Sequence, residues 1–516
     1  MYSSEKPLDC VVIGAGPGGL VATKELIENG IKKLLCLEME DQIGGVFAKT
    51  YENLTLTSSA TFSMFSDFLN KPGEDNYFWT KEEAIDYWGR YAQHFGVTEH
   101  IRFNTEVTSV ERVQNQHWQI TLSCGQIFKS VRIIIATGNN RFESYPEWAK
   151  QLSAIDYSHS KNYRNADPFK GKRVVVVGGG ESASDIALEI SKVAHASWIS
   201  LRESAGWVVP RKRGDYATDT STHRGLWGLP RRYGAQFTKR SIELDRAKKD
   251  PVHDAIAMLN SRIRDPRGIW STYGTKTVAL AEAIAHHNCK VVEEVVRVED
   301  GGKCLVTGDG LVLHNIDAVV FSTGYINHTS FLPEAYQAVD PRRLYKHIFH
   351  PDTGDSLMWI GVARPGFGSQ FPIMEMQARL CALICAGKHQ LPSAMAMNRS
   401  IQTDYQKNME QFGRNAKRIR SLVDYFHYMD EIAELIGCKP PLKNYIYRHP
   451  TLWLKMMYGP AQATQYRLVG PGRKRELAHY ILKNLPLSRF NNVVKIGLRL
   501  RLMQLFEGAM EIFRRD

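Results

Sequence analysis

The chain has 516 residues, 43% hydrophobic and 23% charged, which excludes a single small core, low complexity and disorder and leaves room for two or three domains. Its net charge of +12 is concentrated at one end. Residues 439–516 carry 15 Lys/Arg against 4 Asp/Glu, so the main body offers no basic surface for nucleic acid.

The start, MYSSEKPLDC, lacks the apolar core of a signal peptide. No run of 18 uncharged apolar residues occurs, so no transmembrane helix is expected. Eight cysteines form neither a C-x-x-C pair nor a zinc-finger spacing. They read as reduced thiols of an intracellular protein without a metal centre.

The first periodic segment is CVVIGAGPGGLVATKELIENG (10–30). A short apolar strand runs into Gly14, Ala15, Gly16, Pro17, Gly18 and Gly19, and a helix pattern follows. Gly14 permits the tight turn, Gly16 a close backbone approach to a pyrophosphate, and Gly19 close packing of helix on strand. The next apolar run, LLCLE, ends in Glu38, an acid suited to a ribose diol and repelled by a 2′-phosphate. This unit predicts an FAD or NAD site rather than NADP.

Residues 54–68, LTLTSSATFSMFSDF, combine hydroxyls with Phe62, Met64, Phe65 and Phe68 and hold no His or Cys. Their plain reading is a half-buried strand with polar ends. Two later apolar strands, in RIIIATGNN (132–140) and AVVFSTGY (318–325), end in Thr-Gly at expected domain crossings. His159 lies in a linker and reads as a domain-joining residue.

KRVVVVGGGESASDIALEISKVA (172–194) repeats the strand–turn–helix design with Gly178, Gly180 and Ala183. Here the following strand, ASWISLR, ends in Arg202 instead of an acid, and Arg211 follows. A guanidinium at that place suits a 2′-phosphate, so the second unit predicts NADPH. Ser182, Ala183, Ser184 and Asp185 are expected along that nucleotide. Residues 205–275 are basic and weakly periodic and read as an elaboration of this unit.

The fold class is therefore α/β, with two Rossmann-like dinucleotide-binding domains. The FAD domain spans 1–168 and 321–438, the NADPH domain (169–320) is inserted into it, and a basic helical extension follows at 439–516. Within that extension, Val494, Leu498, Leu502, Leu505, Ala509 and Ile512 share one helical face over 491–513. A basic amphipathic helix of this kind suits peripheral membrane contact or packing on the protein's own body.

The order of these pieces resembles the flavin-containing monooxygenases. The shared pieces are GAGPGGL, IGGVF (43–47), HSKNYR (159–164), GGGESASD, LRESAGWVVPR (201–211), FSTGY, MEMQAR (374–379), VDYFHYMDEIAELIG (423–437) and YGPAQATQYRLVGPG (458–472). The last two resemble the C-terminal half of the animal-type branch. Some positions depart: Phe47 stands where the family has Trp, Glu181 where it has Asn, and Thr57 where it has Asn.

The resemblance implies FAD and NADPH as cofactors, and O2 with a small molecule as substrates. Reduced flavin would trap O2 as a C4a-hydroperoxide that passes one oxygen to a soft nitrogen or sulfur nucleophile, such as an amine or indole alkaloid. It places Gly45, Val46, Phe47, Leu56, Thr57 and Ser58 around the flavin, with Thr57 and Ser58 as the catalytic hydroxyls. The backbone at Gln370 and Phe371 would face the flavin pyrimidine edge, ahead of the helix carrying Glu375. A Baeyer–Villiger-type oxygenase of ketones stays open, although Tyr163 differs from the Trp of those enzymes. An uncoupled NADPH oxidase also stays open, as does a homo-oligomer.

Overall fold

A computed structural model describes residues 6–70, 77–113, 117–229 and 233–487 continuously, with single positions beyond. The stripe expected over 491–513 lies outside that range, apart from Lys495, Leu498, Arg499, Leu502, Met503, Leu505 and Phe506, which are helical and exposed.

The first sheet is built from Leu8–Ile13 (β1), Leu34–Leu37 (β2), Ile101–Arg102 (β3), Val107–Val113 (β4), His117–Leu122 (β5) and Ile127–Ile135 (β6), in the order β3-β2-β1-β6-β5-β4. β1, β2 and β3 run parallel to β6, and the apolar runs of β1 and β2 are buried.

The second sheet holds Asp156–His159 (β7), Arg173–Val177 (β8), Ala196–Leu201 (β9), Lys290–Glu293 (β10) and Ala318–Phe321 (β11). All five are parallel, in the order β10-β9-β8-β11-β7. Its outer strand β7 starts upstream of the expected boundary at 168. A last strand, Leu357–Trp359 (β12), returns to the first sheet and pairs with β6. β6 serves both β5 and β12 on one edge, through Ile127–Ser130 and Ile133–Ile135 in turn.

Helices follow the glycine turns. Pro17–Glu28 (α1) follows β1, and Glu181–Ser191 (α2) follows β8. Gln370–Cys385 (α3) packs along α1, close enough that a Cβ on Gly18 would lie 3.2 Å from Met374 Sδ. The sheets are joined by two adjacent crossings, where Tyr325–Ile326 pairs with Phe142–Glu143. His159 locks this joint. Its Nδ1 accepts from Lys161 N (3.2 Å), so Nε2 carries the proton and donates to Gly324 O (3.0 Å). Burial lowers its pKa, which keeps the ring neutral.

One sequence expectation changes here. Residues 54–68 form no strand: a single bridge, Thr55 to Thr80, precedes one helical turn at Ala60–Ser63. Phe62, Met64 and Phe65 are all buried, so no exposed face remains for period-two alternation. The weakly periodic 205–275 contains the helices Gly234–Arg246 and Pro251–Ser261. The second begins at Asp250, whose carboxylate accepts from His253 N, with Pro251 in the first turn.

Candidate active site

At the first glycine turn, Gly14 has φ +106°, and a Cβ there would lie 2.7 Å from Ala136 O. A Cβ on Gly19 would run into Gly14 O, so α1 approaches β1 only because position 19 is Gly. Gly16 precedes α1 with no side-chain cap, leaving the first-turn N–H groups aimed outward past Pro17. Glu38 is buried, and its carboxylate accepts from Ala15 N (2.6 Å) and Glu40 N (3.0 Å). Both oxygens retain lone pairs for a diol. These residues fit the diphosphate and ribose of FAD.

Gly45 packs against Gly16, where a Cβ would lie 3.3 Å from the Gly16 Cα. Val46 is 47% exposed. Phe47 packs on Trp88 (ring centroids 5.1 Å) and Phe371 (6.2 Å). Leu56 is buried and donates its N–H to Trp79 O (2.8 Å).

At the second turn Gly178 has φ +126°, and a Cβ would strike Ser322 O. A Cβ on Gly180 would meet nothing within 4 Å, which leaves room for a phosphate at the uncapped start of α2. Ser182 is half-buried at this end. Ala183 is buried in the core, and Ser184 Oγ bonds back to Gly180 O (3.0 Å), so these two side chains support the helix.

Asp185 reaches the boundary between the two units. It accepts from Thr277 Oγ1 (2.9 Å) and Tyr51 OH (3.1 Å), with Arg211 at 3.5 Å. Burial pushes its carboxyl upward against the pull of Arg211 and these hydroxyls. The two arginines thus have different settings. Arg202 leaves the end of β9 toward solvent and pairs with Glu294 (2.9 Å), whereas Arg211 sits against Asp185 and Thr55 O (3.4 Å).

Thr57 and Ser58 lie on the loop before Ala60–Ser63. Thr57 is half-buried, and no side-chain hydrogen bond is found for it among the described residues. Ser58 Oγ accepts from Lys276 Nζ (3.0 Å), which also donates to Gly368 O (3.1 Å). Ser59 gives its N–H (2.7 Å) and Oγ–H (2.8 Å) to the buried Asp219. Burial raises the Asp219 pKa, opposed by Lys276 and by Ser59.

Gly368 has φ +104°, and a Cβ there would strike the Tyr425 ring. Ser369 follows as the buried first cap of α3, its Oγ without a partner among the described residues. Gln370 turns its amide to Gly361 O (2.6 Å), which leaves the first-turn N–H groups of α3 without a side-chain cap. Phe371 is buried behind them. Lys276, Asp219 and Tyr51 were not singled out from sequence. Asp219 lies in the weakly periodic stretch and Lys276 just after it, and no motif marks either.

Behind this loop sits a buried ion network. Arg467 reaches Glu25 (2.6 Å), Glu375 (2.9 Å) and Asp67 (3.3 Å), and donates through Nε to Ser66 Oγ (2.8 Å). Lys24 joins Glu25 (3.0 Å) and Asp67, and Ser66 Oγ also meets Glu375. Glu375 is therefore fully buried rather than a solvated helix residue. Burial alone would raise Glu25, but Arg467 and Lys24 outweigh it and hold it at about 2. Asp67 is held low by the same two cations against its burial. The network ties α1, α3, the C-terminal segment and the far end of the Thr57–Ser58 loop together.

Two Cβ-free turns at helix starts, a buried acid at the first and open space at the second, define a flavoprotein that binds two dinucleotides. The flavin-binding monooxygenase-like family matches residues 8–495, and the chain belongs to that family. It is an FAD-dependent monooxygenase that uses NADPH, acting with O2 on a small molecule.

Among similar proteins, the 4-hydroxybenzoate brominase (decarboxylating) of Pseudoalteromonas luteoviolacea is 33% identical, covering 97% of this chain and 98% of the relative. Dimethylaniline monooxygenase [N-oxide-forming] 2 of Mus musculus is 29% identical over 90% of this chain and 89% of its own. In fold, the S-allyl-L-cysteine S-oxygenase of Allium sativum is similar with a TM-score of 0.58 at 21% identity, covering 85% and 91% of the two chains. An ε-caprolactone-bound cyclohexanone monooxygenase reaches a TM-score of 0.62 at 16% identity, covering 84% and 98%. No helix among the described residues is long and apolar enough to cross a membrane.

Proposed function

We propose that this enzyme transfers one oxygen atom to a soft nucleophilic nitrogen or sulfur of a small molecule. Bound FAD, reduced by NADPH, supplies the activated oxygen. The observation that carries the reading is the Thr57–Ser58 loop, held beside the uncapped start of α3 by Lys276. Hydroxyls there hydrogen-bond oxygen without deprotonating it. The nearby carboxylate of Asp219 is already occupied by Ser59. Glu38 and the α1 N–H groups hold the adenosine diphosphate of FAD, and the first turn of α3 supports negative charge on the flavin.

Thr57→Ala is expected to raise the share of NADPH that ends as H2O2 while slowing anaerobic flavin reduction by less than about twofold. Stopped-flow reduction and a peroxide assay measure the two parts. Unchanged peroxide yield would return Thr57 to a packing role.

Arg202 is the better candidate for the 2′-phosphate. Its pair with Glu294 is exposed and weak, so a dianion can displace it. Arg202→Ala should lower preference for NADPH over NADH about 10- to 100-fold, as expected for about 1.5–3 kcal/mol from a charge-assisted contact. An unchanged ratio of kcat/KM values would shift the role to Arg211.

A second reading has support from the brominase relatives at 33% and 34% identity. Bromide is itself a soft nucleophile, and accepting one oxygen makes it hypobromite, which brominates phenols. Product analysis with amines, sulfides, ketones, and bromide plus 4-hydroxybenzoate separates the cases. N- or S-oxides support the first reading, and a bromide-dependent bromophenol supports the second. Esters alone would mean Baeyer–Villiger-type chemistry and overturn both.

A further inference from the structure

We infer that Lys276 is a positioning residue that commits the Ser58 hydroxyl to donate toward the flavin, an inference that rests on the function proposed above. Lys276 follows Gly274–Thr275, which pairs with Trp207–Val208. Its backbone is held on both sides. Its own N–H donates to Glu181 Oε1 (3.1 Å), and Thr277 Oγ1 donates to Asp185 (2.9 Å). From this anchored place in the second dinucleotide unit, the ammonium crosses to two segments of the first, at Ser58 Oγ (3.0 Å) and Gly368 O (3.1 Å).

An ammonium only donates, so Ser58 Oγ must accept from it, and the single serine proton is left for another partner. Accepting from a cation also polarises that O–H and makes it a stronger donor. The segment cannot rotate to offer its carbonyl instead. Ser58 O already accepts from Ser63 Oγ (3.1 Å), and Ser59 is bound twice by Asp219. Asp219 balances the Lys276 charge from within the protein. The hydroxyl proton is thus the side-chain donor that Ser58 has left for the site.

The test uses the FAD-loaded full chain with K276M, K276R, S58A and the K276M/S58A double variant. The expected result is that K276M raises the H2O2 fraction per NADPH about threefold or more, as S58A does, and that the double variant is no worse than S58A alone. K276R, also a donor, recovers part of the coupling. A second readout needs no turnover. The midpoint potential of the bound flavin moves negative in K276M, and by less than half as much when Ser58 is already Ala. Additive effects on peroxide, or equal potential shifts in both backgrounds, would overturn the inference. If the wild type itself yields one H2O2 per NADPH with every substrate, the oxygen-transfer reading fails instead. The potentials then still decide the link between Lys276 and Ser58.

Discussion

Arg467→Met is expected to cost about 3–5 kcal/mol of stability, the penalty for leaving buried carboxylates without their cation. Glu25, Asp67 and Glu375 each lie within 3.3 Å of this one guanidinium, and all four groups are buried. Lys24 can answer Glu25 and Asp67, but no ion pair other than that with Arg467 is found for Glu375 among the described residues. In a domain of this size the loss reads as a fall of about 5–8 °C in apparent melting temperature. Flavin should be released at lower temperature too, because the network holds α1, α3 and the Thr57–Ser58 loop in one arrangement.

The pH dependence follows with its sign. Glu25 falls from 4.5 to about 2 on folding. A depressed carboxylate contributes stability that is complete above its unfolded value and is lost as pH falls. The wild type should therefore lose melting temperature between about pH 4.5 and 2, and Arg467→Met should show a shallower loss over that window. A thermal scan series across that range measures both, and equal slopes would remove the network from the account.

Gly19→Ala is the second large effect. The added Cβ would run into Gly14 O, a backbone atom that cannot swing aside. Helix α1 must lift from β1, and with it the N–H groups proposed to bind the FAD diphosphate. Strain of about 2–3 kcal/mol corresponds to a loss in FAD affinity on the order of 100-fold. The flavin-to-protein ratio after purification and a fluorescence titration of the apoprotein measure it. Gly180→Ala is the contrast, because a Cβ there meets nothing within 4 Å. That variant should fold and keep its FAD, yet show a raised KM for NADPH, because the methyl enters the space left for phosphate. Loss of FAD in both variants, or in neither, would show that the two turns do not divide the cofactors this way.

Both dinucleotide turns were legible because their chemistry is local. Glycine spacing, an apolar strand before, a helix after and an acid or arginine one strand later all lie within a short window, as at Gly14–Glu38 and Gly178–Arg202. What escaped was everything assembled across distance. The burial of Glu375 was not legible because its partner Arg467 lies 92 residues away. Lys276 meets Ser58 across 218 residues of chain, and no motif marks it. The strand expected at 54–68 failed for a related reason. Phe62 and Phe65 are buried in the core that α3 and Lys81–His94 help to form, and such enclosure leaves no mark on local alternation.

The most direct test of the central claim is the yield of H2O2 per NADPH oxidised, with and without an oxidisable amine, sulfide or bromide. Oxygen transfer predicts that at least one of these drops the yield well below one and that the missing equivalents appear as oxygenated or brominated product. A yield of one H2O2 per NADPH under every condition, with no such product, would contradict the account.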